Sequence, residues 1–166
     1  MKESSLGSVE VSLSPLERFE EYLQSRGKRV TQQRKSLVQQ VFKRHEHFDA
    51  DDLIDEVGQE EKGKRISRST IYRTLQELVE AGLLREMNIR GRSVYEHDYG
   101  YPQHDHLHCE KCNKLIEFRN DAIQEQIANI AKEHNFRYTG QRLIINGVCS
   151  DCSKSQRRRK RPLDLI

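Results

Sequence analysis

The chain has 166 residues, enough for one or two small domains. Hydrophobic residues make up 34% and charged residues 33%; no apolar run approaches a membrane span, and Met1–Ser14 lacks the basic-then-apolar pattern of a signal peptide, so a cytoplasmic chain with reduced thiols is expected. The net charge of +3 excludes a uniformly basic binder, and any nucleic-acid contact must come from local patches.

Residues 1–14 read as a flexible polar extension. A helix is expected over Pro15–Ser25, with Leu16, Phe19 and Leu23 on one face and Gly27 as its stop. Thr31 caps a second helix whose buried stripe is Leu37, Val38, Val41 and Phe42. His45–Phe48 reads as a loop. Asp49, with Asp52 three residues on, caps a third helix whose Leu53, Ile54 and Val57 face inward. Gly58–Lys64 reads as a charged loop. Ile66–Leu84 carries the clearest helical period of this half: Ile71, Leu75, Leu78, Val79 and Leu83, with Ser67 or Ser69 as cap and Gly82 near the end. Leu84–Asn88 and Ser93–Glu96 are expected strands around a basic hairpin tip, Ile89–Arg92.

Three helices followed by a two-stranded hairpin make a winged helix-turn-helix domain, placed at 15–97. The bland alternative is a small helical domain with a decorative hairpin. DNA binding is favoured because Ser69, Thr70, Tyr72 and Arg73 fall in the first turns of the expected recognition helix. There side chains reach base edges and free N–H groups favour phosphate.

Residues 98–102 read as a hinge, and 103–153 as a small α+β domain. Its expected elements are strands at Leu107–Cys109 and Lys114–Phe118, an amphipathic helix over Asp121–His134, and strands at Phe136–Thr139 and Gln141–Val148. A core this small needs a metal staple or a partner chain. The helix face of Ile123, Ile127, Ile130 and Ala131 and the Leu143–Ile145 strand are candidate dimer surfaces. Residues 154–166 form a basic tail. Its run Gln156–Arg161 reads as solvated chain, with nonspecific phosphate attraction as the functional alternative.

The stretch His104–Phe118 concentrates metal donors: three histidines, two cysteines and three acids. Cys109 and Cys112, with Cys149 and Cys152, form two Cys-x-x-Cys knuckles that match structural zinc. Four unrelated buried thiols and a redox switch are the alternatives. His104 and His106 alternate along a strand and share a face; with Glu117 they make a nitrogen–oxygen set suited to exchangeable iron, manganese, cobalt or zinc. His108 has the same parity, so spacing alone leaves it open. A metal-dependent hydrolase would need a nucleophile or phosphate cradle that the chain does not offer. No enzyme activity is expected.

Together, Arg29-Val-Thr31 with Arg34, Ser69-Thr-Ile-Tyr-Arg73, Ser93-Val-Tyr-Glu96, His104-Asp-His-Leu-His-Cys109, Cys112, Lys114-Leu-Ile-Glu-Phe118 and Cys149-x-x-Cys152 resemble the ferric uptake regulator family. The resemblance runs from about Leu16 to Ser153. It implies a homodimeric, metal-activated repressor of A·T-rich, palindromic double-stranded operator DNA. It implies structural zinc on Cys109, Cys112, Cys149 and Cys152. It also implies a regulatory site of His47, Glu96, His104, His106 and Glu117, holding Fe²⁺ or, in its place, Mn²⁺, Co²⁺ or Zn²⁺. His45, His97 and His134 match no role.

The resemblance gives Tyr72 contacts to thymine methyls, Arg73 a phosphate or base edge, Arg29 the A·T-rich minor groove, and Arg34 a lesser DNA contact. Peroxide-sensing and zinc-sensing relatives are the alternatives within the family. The peroxide sensors carry aspartate where this chain has Glu96 and Glu117. Many relatives also hold a second nitrogen–oxygen site in the dimerisation domain. Its positions here read Gln103, Asp105, Gln124 beside Glu125, and Gln141, so both histidines have become glutamine. This site is expected to be absent or weak, with the glutamines hydrogen-bonding Asp105 instead.

Overall fold

The computed structural model describes residues 9–44, 46–60 and 66–159, which divide between Pro102 and Gln103 into two compact units.

The N-terminal unit opens with helix α1, Pro15–Ser25. Ser14 caps it reciprocally: Glu17 donates its N–H to Ser14 Oγ at 3.3 Å, and Ser14 donates its N–H to Glu17 Oε2 at 2.8 Å. Gly27, at φ +65°, turns the chain out of the helix while Lys28 donates to the Leu23 carbonyl at 2.8 Å. Helix α2, Gln32–Lys43, is capped by Thr31. The two-residue strand β1, Phe48–Asp49, leads into helix α3, Ala50–Glu60. Asp49 and Asp52 exchange N–H to carboxylate bonds, both 2.9 Å.

Helix α3 runs through Gly58 to Glu60, past the expected loop start; residues 61–65 of that loop, and His45, lie outside the described residues. Helix α4, Arg68–Glu80, is capped by Ser67 and is shorter than its apolar period, because Leu83 and Leu84 already belong to the turn and the next strand. Strands β2, Leu84–Ile89, and β3, Arg92–His97, form the hairpin. It turns through Arg90 at φ 53° and Gly91 at φ 83°. Phe48 and Asp49, expected as loop and cap, pair with Tyr95 and Val94, so the sheet has three strands in the order β1-β3-β2. Phe19, Leu23, Leu37, Val41, Phe48, Leu53, Ile71, Leu75 and Leu78 form the buried core beneath it.

The C-terminal unit is built on β4, Asp105–Cys109. Strand β5, Leu115–Phe118, pairs with it antiparallel, after a tight turn in which Asn113 stands at φ 59° and Cys109 donates to the Lys114 carbonyl at 2.9 Å. Asn120 caps helix α5, Asp121–Glu133, accepting from the N–H groups of Ala122 and Ile123. Strand β6, Ile144–Gly147, returns parallel to β4, giving the order β5-β4-β6. The helix between β5 and β6 supplies the long crossover that parallel pairing requires.

Two expectations change in this unit. Phe136–Thr139 is aromatic and β-prone but forms no strand, since both edges of β4 are already taken by β5 and β6; Phe136 stays 70% exposed. Residues 141–143 also stay outside the ladder. The expected basic tail begins as a helix: α6, Ser150–Arg159, starts inside the second knuckle, and residues 160–166 lie outside the described part.

Candidate metal centres and nucleic-acid interface

The β4–β5 turn presents Cys109 and Cys112, and the parallel return of β6 delivers Cys149 and the first turn of α6 with Cys152. The four sulfurs lie within 4.8 Å of one another. Thiolates at about 2.3 Å from a tetrahedral zinc stand about 3.8 Å apart, and the Cys112 and Cys149 sulfurs are 3.8 Å apart. The donor set therefore fits zinc. Cys109 is poised to ionise first: the backbone N–H of Cys149, 3.3 Å away, then those of Cys112 and Lys111, pull its pKa down to about 6 against the opposing effect of burial. Cys152 is pushed up to about 12, chiefly by its hydrogen bonds with Cys149 and Cys112.

On the same unit, His104 and His106 precede and enter β4 with ring centroids 4.8 Å apart. Glu117 stands opposite His106 in the β4–β5 register, and its Oε1 is 3.8 Å from His104 Nε2. His108 shares their parity, but its Nδ1 engages Asn146 Oδ1 at 2.9 Å. Asp105 is buried, and both its oxygens accept hydrogen bonds: Oδ2 from Gln141 Nε2 at 2.8 Å and Oδ1 from the Leu143 N–H at 3.0 Å. Gln103 donates to the Gln141 carbonyl at 2.8 Å, and Tyr138 to Gln141 Oε1 at 3.2 Å.

In the N-terminal unit, His47 Nε2 and Glu96 Oε2 are 3.1 Å apart. Arg85, opposite Glu96 in the β2–β3 register, lies 3.5 Å from Glu96 Oε1 and also pairs with Asp98.

Helix α4 buries Ile71, Thr74, Leu75, Glu77 and Leu78, which turns Tyr72 and Arg73 outward. Tyr72 is 49% exposed. Ser67 Oγ accepts the Thr70 N–H as the cap of α4 and also meets the hydroxyls of Ser69 at 3.0 Å and Thr70 at 2.8 Å. Arg29 is exposed in the α1–α2 connection. Arg34 is not: its Nη1 donates to the Arg29 carbonyl at 2.6 Å and its Nη2 to Glu77 Oε1 at 3.0 Å.

The family model described as "Ferric uptake regulator family" matches residues 25–146. The chain belongs to the ferric uptake regulator family. The ferric uptake regulation protein of Campylobacter jejuni is 36% identical over 141 residues, covering 85% of this chain and 90% of that protein. That of Neisseria gonorrhoeae is 36% identical over 139 residues, covering 82% and 94%. Among solved structures, the Helicobacter pylori ferric uptake regulator, described with three functional metal-binding sites, has a TM-score of 0.77 at 23% identity, covering 92% of this chain and 97% of that one. The iron-containing Francisella tularensis regulator has a TM-score of 0.68 at 26% identity, covering 76% and 96%.

Within the ferric uptake regulator pattern, the structure gathers the four cysteines, places His104 and His106 with Glu117, and sets His47 against Glu96. At the positions of the second nitrogen–oxygen site it shows a hydrogen-bonded clasp of Gln103, Gln141 and Asp105; Gln124 and Glu125, on α5, enter none of these bonds. Glu77 and Arg85 were not singled out from the sequence. A signal for Glu77 exists: it falls three residues after Thr74 in the buried phase of α4, where a charge demands partners. Arg85 sits in an ordinary alternating strand and carries no such mark.

Proposed function

We propose that the chain is a metal-dependent, DNA-binding transcriptional repressor that acts in the cytoplasm as a homodimer on A·T-rich, palindromic double-stranded operators. Zinc on Cys109, Cys112, Cys149 and Cys152 is structural. His47, Glu96, His104, His106 and Glu117 share one regulatory ion, Fe²⁺ by preference, with Mn²⁺, Co²⁺ or Zn²⁺ able to substitute. When bound, that ion supplies a positive centre common to donors from both units. The arrangement of the units that brings the five donors together is the one favoured on DNA, so the switch is a population shift. Residues 98–102 serve as the hinge.

The observation that carries this reading is the presence of two donor sets of different kind: a closed all-thiolate cluster at zinc spacing, and histidines paired with carboxylates. Exposed Tyr72 and Arg73 on a capped α4, with Arg29 exposed before α2, support DNA readout. Exposed Leu107, Ile130, Ile145 and Val148, which one copy leaves uncovered, support pairing with a second copy. The clasp around Asp105 supports a content of one zinc and one regulatory ion per chain. Glutamates at 96 and 117 favour the iron-responsive reading over the peroxide-sensing one.

The test is an anaerobic DNA-binding titration with Fe²⁺, Mn²⁺, Co²⁺ and Zn²⁺, after the zinc already present is measured. Affinity for selected duplex should rise with added metal, and fall more than that for random DNA in Tyr72→Ala, whose methyl contacts carry sequence information. Affinity unchanged by any metal would reject the reading.

A further inference from the structure

Glu77 is an anomaly in α4. Its side chain is 3% exposed, and it is the one charged residue on a buried face shared with Ile71, Thr74, Leu75 and Leu78. Its Oε2 is buried with no hydrogen-bond partner, while its Oε1 accepts from both Lys28 Nζ at 2.9 Å and Arg34 Nη2 at 3.0 Å. A buried carboxylate paired on one oxygen is a poor stability device: replacing it together with Arg34 by apolar side chains of similar volume would serve the core about as well, whereas removing the carboxylate alone leaves the Arg34 charge unpaired. What the charge provides is a fixed place for the segment Gly27–Thr31. Lys28 is held directly. Arg34 uses the other arm of its planar fork to hold the Arg29 carbonyl at 2.6 Å. A second tie reinforces the first one turn further along α4, where the Tyr22 hydroxyl of α1 donates to Glu80.

We propose that Glu77 and Arg34 are positioning residues for DNA reading: they fix the backbone of Arg29 against α4, and so set the distance between the arginine and Tyr72. This rests on the reading that Arg29 and Tyr72 both meet DNA. The two side chains address different grooves, whose separation is dictated by the duplex. A segment free to shift would lose orientation each time it bound, and pre-ordering it removes that cost. Arg34 is 13% exposed, its guanidinium already engaged by Glu77 and the Arg29 carbonyl; it acts through Arg29 rather than on the DNA.

The test uses full-length, zinc-loaded protein with saturating Mn²⁺. One duplex is selected by the wild type from a random pool and made with either A·T or G·C flanks; the unselected pool is the reference. Glu77→Gln and Arg34→Lys should each weaken binding to the A·T-flanked duplex about tenfold while binding to the pool changes by less than about twofold. The preference for A·T flanks should collapse in both. Adding Arg29→Ala to either should cost far less than Arg29→Ala alone, the mark of coupled residues. The double variant Glu77→Met with Arg34→Met removes both charges and keeps the volume; it should melt close to wild type and show the same loss of flank preference.

Equal proportional losses on selected and unselected DNA, an intact flank preference in the Glu77→Met, Arg34→Met double variant, or full additivity with Arg29→Ala would overturn the proposal. A wild type that binds no DNA with metal sinks the functional reading itself; a wild type that binds beside unaltered variants sinks only the positioning role.

Discussion

The two units of this chain are held by different physics. The N-terminal one buries Phe19, Leu23, Leu37, Phe48, Leu53, Ile71, Leu75 and Leu78 in one continuous apolar cluster. In the C-terminal one the buried described residues are His104, Asp105, His106, His108 and Cys109, and α5 buries none of its residues in a single copy. The first is a hydrophobic fold that carries a reading surface. The second needs zinc and a second copy of the chain to be complete. The thiolate cluster and three of the five proposed regulatory donors lie in the C-terminal unit, while the N-terminal unit supplies His47 and Glu96 and has an apolar core of its own.

The sharpest way to break this comparison is to remove the zinc. Cys109→Ser, or a strong chelator, should abolish amide protection in β4–β6 and dissociate the dimer while α1–α4 stay protected, since apparent zinc binding energies in small domains are on the order of 10 kcal/mol. Hydrogen exchange read unit by unit checks it, and loss of protection in both units together would refute the division. The reciprocal experiment is Leu78→Ala. It should cost the N-terminal unit about 3 kcal/mol, lowering its melting transition while zinc content stays at one per chain.

A smaller effect is expected at the exchangeable donors. His104→Ala or Glu117→Ala should leave zinc and dimer intact but raise the Mn²⁺ concentration needed for DNA binding at least about tenfold, as losing one ligand of a weak site does. A Mn²⁺ requirement in these variants equal to that of the wild type would remove them from the switch. The mildest change is Gln141→Ala. It strips one hydrogen bond from buried Asp105 and should cost about 1–2 kcal/mol, with no change in metal content. Anomalous scattering from a third ion on Asp105 in the wild type would show that the clasp is a metal site after all.

The N-terminal unit was more legible in the sequence because its rules are local. The Thr31 and Asp49 caps and the stripe of α4 are written at fixed spacings, and the structure repeats them; the Ser14 cap of α1 was missed. Strand β1 was hidden because two residues carry no alternation; only pairing with Val94 and Tyr95 makes them a strand. In the C-terminal unit the donor residues were plain from their chemistry, yet the elements between them were not. Phe136–Thr139 has strand composition but joins neither outer edge of the β5-β4-β6 sheet. Helix α6 has no apolar face to announce it and starts because the second knuckle turns the chain into it. Glu77 hid for the opposite reason: a single glutamate in a polar-looking helix reveals its burial only when Lys28 and Arg34, distant in sequence, arrive beside it.

The parallel pairing of β4 with β6 has a consequence for how the chain is made. A parallel neighbour cannot form until the whole crossover has been synthesised, so the first knuckle waits for Cys149, 40 residues beyond Cys109, before its zinc site can close. The apolar core of the N-terminal unit, with Tyr99 packed against it, is complete once Tyr99 has been made. Each newly made chain therefore leaves the ribosome with its DNA-reading unit able to finish first and its thiols still open. The four-thiolate site cannot close on the growing chain until Cys149 and Cys152 have been made.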